Sequence, residues 1–382
     1  MSFSRVLQRA FCTATQFNAA TTTNSIGAIS TDLYKERNLK RLVEKFKKSS
    51  ELYRFRTKTP IYEDTVRRLA AAKRFKWIEE ILEDQKQYPD FSTEGFAVRL
   101  VTLYGKAGMF ENAEKVFDEM PEKSCERTVL SFNALLGACV NSKKFDKVDE
   151  VFREVSQKLS IEPDVVSYNT VVKAFCEMGS LESAVSMIVE MENKGVEPDV
   201  ITFNTIMNGL YVNNQFLAAE KIWSRMVEKN VVPDVRSYNA RLLGLASEKK
   251  TNKAVELFEE MRNKEVKPDV FSFNALIKGF VNEGKLEEAK QWYRELVRSS
   301  CALQKWTFQM LVPFVCEKGD LDFAFELSEE IFKRRLLVDV ELLQVVVDGL
   351  AKASRINEAK KIVKLGNTNT YRRYNLQLPS ED

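Results

Sequence analysis

The chain has 382 residues, 44% of them apolar and 30% charged, with 58 basic against 55 acidic side chains and a formal net charge of +3. That length and apolar content can bury a sizeable core or build one long repeat array, and the balanced charge announces no nucleic-acid partner. There is no histidine, which excludes Ser–His and Cys–His dyads, imidazole metal sites and imidazole acid–base chemistry. Six cysteines occur without any Cys-x-x-Cys pair, so zinc-ribbon and thioredoxin-like sites lack their spacing. Cys139, Cys176 and Cys316 lie in apolar helical surroundings and are expected as buried reduced thiols. No apolar run approaches the about 18–20 residues that cross a bilayer, so no membrane insertion is expected.

No acid precedes Asp32, whereas Arg5 and Arg9 sit among many Ser, Thr and Ala residues. Phe3, Val6, Leu7 and Phe11 share one helical face and the arginines the other. This acid-poor amphipathic composition predicts an organellar presequence. Arg9-Ala10-Phe11-Cys12 resembles a plant mitochondrial cleavage site, with Arg three residues before the cut, so the address expected is the mitochondrial matrix, with the chloroplast as alternative and cleavage after Phe11. Residues 1–31 are therefore assigned to a leader, disordered over 13–31. A basic helical region follows over 32–93, with Asn38 to Lys48 as an orphan helix and 59–93 as a degenerate helical unit.

From there a period of 35 residues takes over. Asp164-Val165-Val166-Ser167-Tyr168-Asn169 recurs at Asp199 to Asn204, Asp234 to Asn239 and Asp269 to Asn274, each 35 residues on. Leu130-Ser131-Phe132-Asn133 fits with a one-residue insertion, and Trp306-Thr307-Phe308-Gln309 keeps the period without the Asn. Each unit reads as two helices: Val166 to Phe175, a break at Gly179, then Leu181 to Met191 before Gly195 and Pro198. The breaker recurs at Gly108, Gly284 and Gly319. One hairpin cannot bury both of its apolar faces, so neighbours must stack. The expected fold is all-α, an α-solenoid superhelix of stacked helix-turn-helix 35-residue repeats. Its array runs over 94–339 as 94–128, 129–164, 165–199, 200–234, 235–269, 270–304 and 305–339, with a partial repeat at 340–366 and a polar tail at 367–382.

These starts, the central glycine, motifs such as Ala254-Val255-Glu256-Leu257-Phe258 and the Pro-Asp ends resemble pentatricopeptide repeats of the plain 35-residue class found in plant organelles. The likeness extends to short members associated with mitochondrial ribosomes. A tetratricopeptide array would run at 34 and carry Trp-x-x-Leu-Gly. The resemblance implies single-stranded RNA binding, one base per repeat. It assigns base reading to the fifth and last residues of each unit: Asn133 with Asp164, Asn169 with Asp199, Asn204 with Asp234, Asn239 with Asp269, and then Asn274, whose unit ends in Gln304. It assigns base wedging to the second residue: Val166, Ile201, Arg236, Phe271 and Trp306, with Leu130 before them. An Asn/Asp pairing implies a pyrimidine, uracil-leaning preference. Units 94–128 and 305–339 pair Val98 with Thr128 and Gln309 with Asp339, and neither is a regular reading pair.

Family members usually place a Lys near the end of the first helix, whereas this chain has Lys106 and then Asn141, Glu177, Val212, Ser247, Asn282 and Glu317. Residues 1–93 carry 18 basic and 11 acidic side chains, and residues 94–382 carry 40 and 44. The groove is therefore expected to be electrostatically weak, with basic character concentrated ahead of it. No cofactor, metal or small-molecule substrate is expected, and no enzyme: the zinc-deaminase signature needs His and Cys-x-x-Cys. The function expected is translation in mitochondria, as a component or partner of the mitochondrial ribosome bound to rRNA or other single-stranded RNA and to ribosomal or other ribonucleoprotein proteins. The alternative is a free adaptor for one organellar transcript.

Overall fold

The computed structural model describes residues 25–379, and every regular element among them is helical. The helices form two compact units, Met1–Glu162 and Pro163–Asp382. The expected presequence and its cleavage point lie outside the described residues.

In the first unit, α1 (Ile26–Lys35) starts inside the stretch expected as disordered leader. The correction has a packing reason. Leu33 is buried, and Arg68 donates to the α1 carbonyl of Leu33 at 3.0 Å. The orphan helix is α2 (Leu39–Ser50), begun by Asn38, whose side chain accepts from the Arg41 amide. Its Phe46 meets Phe55, from the short α3 (Tyr53–Arg56), and Tyr62 with edge-on rings. Tyr62 sits on α4 (Thr59–Ala71), which pairs with α5 (Phe75–Glu83) as the degenerate hairpin. Next come α6 (Glu94–Lys106), α7 (Phe110–Glu119) and α8 (Val129–Asn141), with α8 lying along α6.

The insertion in unit 129–164 surfaces in its second helix. That helix is divided into α9 (Val148–Glu150), a π-helical turn over Val151–Val155, and α10 (Ser156–Leu159). A π turn holds one residue more per hydrogen-bonded ring than an α turn, so an extra residue fits without a loop.

The second unit is six hairpins: α11 (Val165–Met178) with α12 (Leu181–Asn193), α13 (Val200–Val212) with α14 (Phe216–Glu228), α15 (Val235–Ser247) with α16 (Thr251–Asn263), α17 (Val270–Asn282) with α18 (Leu286–Arg298), α19 (Lys305–Glu317) with α20 (Leu321–Lys333), and α21 (Val340–Lys352) with α22 (Ile356–Thr368). Each first helix packs on the next first helix. Tyr168, Phe203, Tyr238, Phe273 and Phe308, the fourth residues of their units, are all buried. The tenth positions Gly209, Gly244 and Gly279 let neighbouring helices approach: a Cβ on Gly244 would lie 2.2 Å from the Tyr211 ring.

The turn inside each hairpin is left-handed whether or not it holds glycine. Gly108, Gly179, Gly284 and Gly319 hold it in four hairpins and Lys143, Asn214, Lys249 and Ser354 in four others, all at φ between 55 and 77°. Stacking therefore imposes the turn, and Gly only lowers its cost.

The C-terminal tail is corrected as well, since it is not simply polar and solvated. Tyr374 and Leu376 are buried, and the Tyr374 hydroxyl donates to the Leu336 carbonyl at 3.1 Å. The tail then reaches α21, where the Gln377 amide donates to Gln344 Oε1 at 3.1 Å and Gln344 Nε2 donates to the Gln377 carbonyl at 2.8 Å.

Candidate nucleic-acid interface

The last residue of each regular unit is the N-cap of the following first helix. Asp164, Asp199, Asp234 and Asp269 cap α11, α13, α15 and α17, each in a capping box with the Ser or Thr three residues on. Those hydroxyl residues, Ser167, Thr202, Ser237 and Ser272, are fully buried. An Asp here accepts from amides that have no partner within the helix.

The fifth residue reaches the same carboxylate from the neighbouring helix. Asn169 Nδ2 donates to Asp199 Oδ1 at 3.1 Å, Asn204 Nδ2 to Asp234 Oδ1 at 2.9 Å, and Asn239 Nδ2 to Asp269 Oδ1 at 3.0 Å. Asn169 and Asn239 are also fixed at Oδ1, which accepts from Thr202 and Ser272 at 2.6 Å. The amide–carboxylate pairing is thus structural in its own right: it fixes the register between first helices. It still leaves chemistry at the surface. In all three aspartates Oδ2 makes no hydrogen bond among the described residues, and both members of each pair are half-buried. Each pair therefore presents one amide N–H beside one carboxylate oxygen. Burial pushes the Asp234 carboxyl up, but hydrogen bonds from the Ser237 amide, Asn204 and the Ser237 hydroxyl outweigh it and hold it below its ordinary value.

The second positions stand out from the same surface. Val166, Ile201 and Phe271 are 52, 54 and 50% exposed, and Arg236 is exposed too. Ile201, Asn204, Arg236, Asn239, Phe271 and Trp306 all line one groove of about 1240 Å³. Among its charged lining residues Glu177, Asp234 and Asp269 outnumber Lys173 and Arg236. The expected electrostatic weakness is present in this groove.

Asn133 is half-buried on α8 of the first unit, and Asp164 caps α11 of the second. Asn274 is a correction: it is fully buried, with Nδ2 and Oδ1 both lacking a hydrogen-bond partner among the described residues. Its unit ends in Gln304, which makes no side-chain cap, so no carboxylate draws the amide to the surface. Gln309 does bond Asp339, at 3.1 Å, but Lys305 occupies that carboxylate at 2.9 Å. Thr128 is absorbed by Glu94, whose carboxylate accepts from the Thr128 and Ser131 amides at 2.8 and 3.1 Å. Cys139 is buried as expected, whereas Cys176, which lines the groove, and Cys316 are half-buried; burial pushes Cys139 up to about 12 and Cys176 and Cys316 up to about 11.

Comparison with known proteins agrees with this geometry. Residues 163–212, 198–247, 233–282 and 268–316 match the PPR repeat family. Residues 98–142 match the pentatricopeptide repeat domain and 130–158 the PPR repeat. The chain is 56% identical over 194 residues to small ribosomal subunit protein mS79 (rPPR3b) of Arabidopsis thaliana, covering 51% of this chain and 49% of that protein. It is 57% identical over 208 residues to mS78 (rPPR3a) of the same plant, covering 51% and 52%. The chain thus spans about half the length of the curated relatives it matches. The crystal structure of the pentatricopeptide repeat protein PPR10 from maize superposes with a TM-score of 0.50 at 17% identity, over 89% of this chain and 57% of that one, a likeness of fold. Period, capped hairpins and matched repeats lead to one conclusion: the chain belongs to the pentatricopeptide repeat family.

Proposed function

We propose that this protein is a non-catalytic binder of single-stranded RNA in the mitochondrial matrix, acting in translation as a component or partner of the mitochondrial ribosome. The observation that carries RNA binding is the run of three amide–carboxylate pairs in the second unit, flanked by exposed apolar side chains. One donor beside one acceptor suits a pyrimidine edge: uracil offers a carbonyl beside N3–H, and cytosine offers N3 beside an amino group. Val166, Ile201 and Phe271 are positioned to separate successive bases. The base-reading roles of Asn133, Asp164, Asn169, Asp199, Asn204, Asp234, Asn239 and Asp269 belong to this proposal.

Placement in a ribosome is supported by the names of mS79 and mS78 and by the groove's chemistry. Stacking contributes about 1–3 kcal/mol per base, and three adjacent pairs with little positive charge specify only a short pyrimidine run. Such a module suits a particle in which other contacts supply affinity. The test is sedimentation of tagged protein from mitochondrial lysate. The expected result is co-migration with the small ribosomal subunit that survives digestion of messenger RNA, and that persists when Asn169, Asn204 and Asn239 are all replaced by Ala. Slow sedimentation with a single enriched transcript, lost in that triple variant, would overturn the ribosomal placement in favour of a free adaptor.

A further inference from the structure

The first unit holds a cavity of about 860 Å³ between α4 and α6, built unlike the groove of the second unit. It occupies the corresponding repeat positions. Gly95 is the second residue of unit 94–128, Val98 the fifth and Arg99 the sixth. The wedge is missing, since a Cβ on Gly95 would meet nothing within 4 Å. The reading pair is missing too, because Val98 has no polar atom and Thr128 is taken by Glu94.

What the cavity has is Arg99. Its guanidinium lies 5.0 Å from the Tyr62 ring and 4.6 Å from the Phe96 ring. It makes no ion pair among the described residues, and its Nε is buried without a hydrogen-bond partner. Its one hydrogen bond is a long contact, 3.4 Å, from Nη1 to Thr59 Oγ1. The nearby acids are already engaged: Asp90 by Arg56 at 2.8 Å and Glu63 by Lys106 at 2.7 Å. Burial pulls the Arg99 guanidinium below its ordinary value, as expected for a cation lacking its counter-ion. A buried donor left unpaired is destabilising, and an incoming anion relieves it. Tyr53 lines the same cavity as Arg99 and is 65% exposed, with the Arg56 guanidinium 5.8 Å from its ring centroid.

From this geometry we infer that the cavity is a nucleotide site of a second design, in which Arg99 binds an RNA phosphate, Tyr53 stacks the attached base and no base edge is read. The inference rests on the RNA-binding reading above. It fits the chain's charge distribution, because Arg54 and Lys58, next in sequence to the lining residues Tyr53 and Thr57, are exposed and form no ion pair among the described residues.

The test measures binding of a labelled oligouridine to the full chain across a salt series. Arg99→Met removes the cation. Gly95→Leu fills the cavity from open space, places there the side chain that Leu130 supplies one repeat later, and leaves Arg99 untouched. Both variants are first shown by thermal melting to fold as the parent does. The expected result is an about tenfold loss of affinity in each. For Arg99→Met the slope of log affinity on log salt falls by about 0.7, the loss of one single-strand phosphate contact. A 4-thiouridine probe is expected to crosslink to Tyr53 in the parent and not in Gly95→Leu. Parental affinity and slope in both variants, with binding still lost in Asn204→Ala, would overturn the inference and leave the RNA reading standing. Protection of the cavity by a polyglutamate peptide but not by oligouridine would also overturn it, assigning Arg99 to a protein carboxylate. No binding by the parent would overturn both readings.

Discussion

The start of α8 in the first unit and the starts of α13, α15 and α17 in the second pose the same problem and solve it differently. In the second unit an Asp adjacent in sequence caps the helix, and the neighbouring Asn is drawn onto that Asp. In the first unit the carboxylate comes from Glu94, which reaches from α6 to the Thr128 and Ser131 amides. Both arrangements satisfy the helix start and tie one first helix to the next. Only the local Asp keeps an oxygen and a partner amide at the surface. A repeat can thus keep its stability while changing what it offers a ligand.

The largest effect expected from breaking this comparison is at the helix approach. A Cβ on Gly105 would lie 2.6 Å from Ala138 Cα, which is backbone, whereas one on Gly244 would meet a side-chain ring. Overpacking costs about 1–3 kcal/mol, so Gly105→Ala and Gly244→Ala are both expected near the upper end, since the Tyr211 ring is buried and its hydroxyl is held by Glu220. Denaturant midpoints check this, and equal or raised stability in either variant would contradict it. Next come the caps. Glu94→Ala and Asp234→Ala are each expected to lose about 1–2 kcal/mol. Only Asp234→Ala also frees the Asn204 amide, so RNA affinity by anisotropy should fall in that variant and hold in Glu94→Ala.

Acid separates the caps from the rest of the fold. Burial raises Glu94, but hydrogen bonds from Thr128 and Ser131 outweigh it and hold the carboxyl below its ordinary value, as happens at Asp234. Folded values that are depressed mean that the unfolded chain binds more protons. The stabilisation is therefore whole above about pH 4–5 and is lost as pH falls through the folded values. Melting temperatures measured over that acid range should decline less steeply in Glu94→Gln and Asp234→Asn than in the parent. The smallest expected effect is a gain. Lys249 and Lys143 hold left-handed turns at φ 55 and 58°, and Lys249→Gly or Lys143→Gly is expected to stabilise by about 0.5–1 kcal/mol. An unchanged or lowered midpoint would show that the lysine side chains make a contact worth more than the strain.

The hairpins were legible because period, glycine breaks and Pro-Asp ends are local signals with a local cause. The caps were partly legible: Asp before Val-x-Ser is a helix-start signature, although the family resemblance assigns the same residues to base reading. Gly209, Gly244 and Gly279 also recur at 35, a signal in the sequence for the close helix approach. Asn274 was not legible from its own motif, which matches its neighbours; its fate follows from Gln304 thirty residues later. Glu94 as a remote cap, and Arg99 as an unpaired cation over two rings, depend on side chains from separate helices. No window along the chain brings those together.

The tail at Gln344 has one more consequence. Gln344 is the fifth residue of the last repeat, and the backbone of Gln377 already gives it one donor and one acceptor. On the reading proposed above, a strand threading the array from earlier repeats meets at Gln344 a seat already filled by the polypeptide itself.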